Sequence, residues 1–148
     1  MTHPISTYLD SLKKKLATGV ATEHTYRGTL ATLFESLSDP VRAINEPSRV
    51  ACGSPDLVIL QGDFKVGHVE TKDIGASLDM AENSDQLKRY RLALENLILT
   101  DYLEFRWYVD GELSRSVRLA KTDARGAGAG GDPGAGLGTI NGFHLKDQ

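Results

Sequence analysis

The feature that most constrains this chain is a pair of β-rich segments in its middle that carry charge where the inside of a sheet should exclude it. Leu57 to Leu60 reads Leu-Val-Ile-Leu, an apolar run suited to a buried strand, and Lys65 to Lys72 reads as the strand returning after a Gly62-Asp63 turn. On that returning strand Glu70 and Lys72 stand two apart, so they project from one face while Val69 and Thr71 point to the other. Asp56 opens the preceding strand. A carboxylate from each strand and one lysine ammonium share a patch, provided that the hairpin register brings Asp56 beside Glu70.

That register is a matter of arithmetic, because residues directly opposite in an antiparallel pair have numbers of constant sum. Asp56 opposite Glu70 needs a sum of 126 and hence an odd-length loop, such as Gly62 to Phe64. A two-residue Gly62-Asp63 turn gives 125, pairs Asp56 with Val69 and sends the two carboxylates to opposite faces. A bend or bulge is then required to bring them together. The sequence is compatible with either.

Around this hairpin the pattern is that of a mixed α/β domain. Ile5, Tyr8, Leu9, Leu12 and Leu16 recur at helical spacing up to Gly19, and a second helix runs from a Thr22 cap through Tyr26, Leu30, Leu33, Phe34 and Leu37 to Asp39-Pro40. A short strand is expected over Val41–Asn45, irregular chain over Gly75–Asn83, and a third helix from about Ser84 to Glu95. Strands then follow at Leu97–Thr100, Tyr102–Val109 and Glu112–Leu119, the last two joined across Asp110-Gly111, a strong hairpin signal. From Arg125 onward eight glycines fall between Gly126 and Gly142. The division expected is therefore a folded domain over 1–121 and a glycine-rich flexible tail or linker over 122–148.

Composition narrows the class without choosing a function. The 148 residues suffice for one domain, and 40% hydrophobic with 25% charged residues is ordinary for a soluble globular protein. No apolar run is long enough to span a bilayer and the N-terminus has no secretory pattern, so no membrane partner and a cytoplasmic location are expected. Cys52 is the single cysteine, which excludes an internal disulfide or a multi-cysteine zinc site and leaves it as a small packed thiol. The net charge of -3 speaks against a self-sufficient DNA-binding surface.

With the carboxylates on one face, elementary electrostatics defines the chemistry. Asp56, Glu70 and a backbone carbonyl, that of Thr71, make a hard oxygen site suited to magnesium, with manganese as a substitute. Such a metal acidifies water and offsets phosphate charge, and Lys72 can orient the water and counter the charge of a pentavalent transition state.

These residues resemble the PD-(D/E)xK nucleases, Pro55-Asp56 and Glu70-Thr71-Lys72 matching the two core elements. Fourteen residues beyond Lys72, Gln86-Leu87-Lys88-Arg89-Tyr90 looks like the Gln-xxx-Tyr element of RecB-type members, with Gln86 and Tyr90 on one helical face. The likeness extends over Glu23-His24-Thr25-Tyr26-Arg27, Asn45-Glu46-Pro47, Lys72-Asp73-Ile74-Gly75 and Leu99 to Phe105, and covers roughly Thr22 to Glu112. In that breadth it is similar to the N-terminal nuclease domain of single-chain restriction-modification enzymes, in which an adenine methyltransferase and a target-recognition region follow.

The resemblance implies a restriction-endonuclease-like three-layer α/β core and a DNA endonuclease activity. It further implies that Gln86 helps to arrange the active site, that Tyr90 lies near DNA, and that Glu23 is the upstream acid that holds the metal. Lys88 and Arg89 are candidates for contacts to the DNA backbone. The methyltransferase and recognition parts would belong to a longer parent chain, and dimerisation is one route to cutting both strands. A repair or recombination nuclease of RecB type and a noncatalytic DNA-binding module are the alternatives. Each feature also has a plainer account: a surface ion pair for the hairpin charges, a first-turn acid for Glu23, solvated cations for Lys88 and Arg89. His68 receives no role.

Overall fold

The computed structural model describes residues 3–20, 23–37, 40–45 and 53–120, with the backbone alone described for Glu23 and His24. The expected Thr22 cap, the Cys52 thiol and the tail over 122–148 lie outside these residues. Two helices come first, α1 (Pro4–Thr18) and α2 (Glu23–Leu37), followed by strands β1 (Val41–Asn45), β2 (Leu57–Gln61) and β3 (Phe64–Thr71). Helices α3 (Leu78–Glu82) and α4 (Asp85–Ala93) then lead into β4 (Asn96–Thr100), β5 (Glu104–Val109) and β6 (Glu112–Arg118).

The strands form one six-stranded sheet in chain order, β1 to β6. Every neighbouring pair is antiparallel except β3 and β4, which run parallel. A parallel pair cannot be joined by a tight turn, and the segment holding α3 and α4 supplies the crossover. The sheet is covered on both faces. Against one lie Ile5, Tyr8 and Leu12 of α1 and Leu30 and Leu33 of α2, packed with Leu57, Val69, Leu103 and Leu119. Against the other lie Leu78, Leu87 and Tyr90, packed with Leu97, Leu99 and Tyr108. The result is a three-layer α/β arrangement with a mixed central sheet.

Local chemistry fixes the ends of these elements. Gly19 closes α1 in the left-handed region at φ 71°, its N–H donating to the Leu16 carbonyl. Asp110 and Gly111 both take positive φ, 50° and 86°, which suits the two-residue turn between β5 and β6.

The structure corrects the sequence expectation at two places. Leu78–Glu82, within the segment expected to be irregular, is helical, and the Ser77 hydroxyl accepts from the Met80 N–H at its start. Five residues are too few for a 3.6-residue periodicity to show. Strand β5 begins at Glu104 instead of Tyr102, because the Asp101 carboxylate accepts from the N–H groups of Leu103 and Glu104 and Tyr102 sits at φ 76°. A residue in that conformation cannot continue a strand.

Candidate active site

The register of the β2–β3 hairpin combines the two alternatives left open by the sequence. At the tip Gln61 pairs with Phe64 and Leu60 with Lys65, sums of 125, so Gly62-Asp63 is the tight two-residue turn. Beyond a shift between Ile59 and Leu60 the pairs are Ile59 with Gly67, Val58 with His68 and Leu57 with Val69, sums of 126. Val66 is the extra residue, a β-bulge that returns the strand to the register in which Asp56 comes opposite Glu70.

The two carboxylates then meet at the end of the sheet, each with a different set of neighbours. Asp56 Oδ2 accepts from both the N–H and the hydroxyl of Thr71, each at 2.8 Å. Asp56 Oδ1 accepts from the Arg27 guanidinium at 2.6 Å. Glu70 is 5% exposed; its Oε2 lies 3.5 Å from Lys72 Nζ, and its Oε1 is buried without a hydrogen-bond partner among the described residues. Burial first, and then the neighbouring Asp56 charge, push the Glu70 carboxyl up to about 7, while Lys72 pulls the other way. A carboxylate oxygen so placed lacks a positive partner, and either a proton or a cation can fill that need.

Lys72 is held at both ends. Its N–H donates to the Thr100 carbonyl at 2.8 Å, extending the parallel pairing of β3 with β4, and its ammonium stands between Glu70 and Gln86 Oε1, the latter at 3.4 Å. Gln86 in turn donates from Nε2 to the Tyr90 hydroxyl at 3.2 Å, one turn further along α4. Tyr90 is 1% exposed. Its ring lies so close to Gly53, at φ 135°, that a Cβ there would meet Tyr90 Cε1 at 2.9 Å, and glycine answers both demands. The Tyr90 ring thus belongs to the core on this face, and its hydroxyl reaches Gln86 beside the site.

Asp56, Glu70, Thr71, Lys72 and Gln86 come together at this end of the sheet, and Lys88 and Arg89 are exposed on α4. The side chain of Glu23 lies outside the described residues, and these hold no cluster of three or more histidine, cysteine or acidic groups arranged for a metal. The residue without an assigned role that enters the site is Arg27. Its signal in the sequence was its place one helical turn after Glu23, on the same side of α2.

No protein-family model and no curated protein matches the chain. Among solved structures it is similar to a chain of a cryo-EM DrdV–DNA complex, with 24% sequence identity and a TM-score of 0.64 over 95% of its length. The match takes in 13% of that chain, so this sequence spans a small part of the structure that it resembles. The likeness is one of fold, and it agrees with the restriction-endonuclease-like α/β core expected from the sequence.

Proposed function

We propose that the chain is a magnesium-dependent DNA nuclease domain of the endonuclease type, and that Asp56, Glu70 and Lys72 form its reactive centre. The observation that carries this reading is the buried Glu70 Oε1, left without a donor beside a second carboxylate and a lysine. A sheet end built for stability alone would pair that oxygen.

Asp56, Glu70 and the Thr71 carbonyl would hold magnesium, with Glu23 as a further ligand and manganese as a substitute. When bound, the ion supplies Lewis acidity, favouring hydroxide over water and offsetting charge on the scissile phosphate. The chain's own groups do the rest. Thr71 fixes the Asp56 carboxylate with two donors, so that ligand is oriented in advance. Lys72, 3.5 Å from Glu70, orients the attacking water and counters the extra charge that develops on the phosphoryl oxygens. Gln86 aims the Lys72 ammonium and Tyr90 aims Gln86, making both positioning residues. Lys88 and Arg89, exposed on the same helix as Gln86, supply contacts to the DNA backbone.

Two further facts support DNA as the substrate and a larger protein as the setting. The similar structure was solved as a complex with DNA, and the net charge of -3 suits a cutting part whose grip on phosphate comes from elsewhere. A methyltransferase and a target-recognition region of a parent chain would supply that grip and the sequence specificity, and a second copy would serve the opposite strand.

The test is conversion of supercoiled plasmid to open-circular and linear forms with magnesium, against a chelator control. Wild type should cut, and Asp56→Ala and Lys72→Ala should cut at least about a hundredfold more slowly; wild-type rates in both substitutions remove the assignment. The Gln86–Tyr90 contact also suits a RecB-type nuclease acting from DNA ends, and that reading predicts degradation of linear DNA with the closed circle spared.

A further inference from the structure

Arg27 holds Asp56 in a way that the orientation of the carboxylate does not require. Thr71 already supplies two donors to Oδ2, from a backbone N–H and a hydroxyl that belong to the sheet. The guanidinium takes the other oxygen at 2.6 Å, in a pair whose side chains are only 19% and 16% exposed. What it adds is positive charge. Glu70 stands next to Asp56 with one oxygen unsatisfied, and Lys72 faces only the other Glu70 oxygen, at 3.5 Å. The two carboxylates thus lie between one cation from the helical layer and one from the sheet.

We propose that Arg27 is an internal counter-ion of the carboxylate pair, which a divalent cation must displace from Asp56 Oδ1, so that Arg27 sets the affinity of the site for metal. The inference rests on the metal-site reading above. A guanidinium and a divalent cation sharing one carboxylate repel each other, and the repulsion is strong where solvent is largely excluded. Arg27 holds the site together before metal arrives and weakens metal binding by the same charge. It touches no reacting atom and is a positioning residue.

Titration calorimetry of the full chain with manganese alone tests this, on wild type, Arg27→Gln, Arg27→Lys and Asp56→Asn. Loss of the competing charge should tighten manganese binding by Arg27→Gln at least about tenfold, below the roughly thousandfold limit for one close charge interaction near a protein surface. Arg27→Lys should stay near wild type. The melting temperature of Arg27→Gln should fall without metal and rise with manganese by more than that of wild type. Should Arg27→Gln be unfolded without metal, recovery of its near-ultraviolet circular dichroism at manganese levels below wild-type half-saturation gives the same support.

Equal or weaker manganese affinity in a folded Arg27→Gln protein overturns the proposal, as does an unfolded one that manganese does not recover. If wild type binds manganese, Asp56→Asn does not, and Arg27→Gln is unchanged, the inference about Arg27 falls and the metal site stands. Absence of binding by wild type overturns both.

Discussion

The fold buries two clusters of opposite charges, and they are built on opposite plans. On α3, β5 and β6, Arg106 donates to Glu104 Oε2, Glu82 Oε2 and Asp79 Oδ1 at 2.7, 3.1 and 2.7 Å. Arg118 takes the remaining Glu104 oxygen and Tyr108 donates to the remaining Glu82 oxygen at 2.8 Å. Glu104 is 7% exposed, much like Glu70, yet both of its oxygens have donors. At the β2–β3 end Glu70 has one oxygen without any. Burial of a carboxylate therefore does not mark a site, since a fully paired network holds its charges without further help. What sets the β2–β3 end apart is an unpaired carboxylate oxygen next to a second carboxylate and a lysine.

That contrast can be broken in four places. The largest effect should come from Lys72→Ala, which is expected to lower plasmid cleavage on the order of 10^2- to 10^3-fold with little change in stability, read from initial cutting rates and a urea melt. A comparable loss of stability with no selective loss of cutting would make the hairpin charges structural, like those around Arg106.

Arg106→Ala should do the reverse. With its guanidinium 13% exposed and two largely buried carboxylates, Glu82 and Glu104, bonded to it, removal should cost about 3 kcal/mol in urea unfolding while the folded protein keeps its manganese affinity.

Third is the pH dependence of the metal-free protein. Burial raises the Glu70 carboxyl from 4.5 to about 7 in the fold, so the folded state binds that proton more tightly than the unfolded chain. Its contribution to stability is full below 4.5, falls as pH rises toward 7 and is lost above it. A decline of roughly 2 kcal/mol is expected across that window in chelator, allowing for a titration shared with Asp56. Glu70→Gln should flatten it, and a decline that persists in Glu70→Gln assigns it to another group.

The smallest effect is that of Gln86→Ala. Freeing the Lys72 ammonium at one side should slow cutting about tenfold, as loss of an outer supporting contact usually does, without changing manganese affinity.

The legibility of this chain follows the range of the interactions involved. Strands β1, β2 and β3 were readable from β-branched runs and the Gly62-Asp63 turn, since local propensity and burial agree there. Asp56, Glu70 and Lys72 stood out because charge is unexpected in apolar strands, and Gln86 was picked out only by the resemblance to the Gln-xxx-Tyr element. Helix α3 was not, being too short to show a period, and the true start of β5 depends on a carboxylate cap that only the folded loop reveals. Arg27 was passed over because its partner lies 29 residues away, and its place one turn after Glu23 does not by itself reveal that pairing. The burial of Tyr90 against Gly53 is a packing outcome that spacing does not encode.

The bulge at Val66 has a consequence for how this hairpin can vary. Two residues in the turn and one in the bulge together set Asp56 against Glu70, so what must be preserved is the odd parity of the surplus and not its position. Deleting Val66 alone would turn one carboxylate away, whereas deleting it while lengthening the turn to three residues would keep both on one face. The exposed tip, Phe64 included, is thus open to insertions and deletions in pairs, and relatives or redesigned versions of this domain are expected to differ there by even numbers of residues.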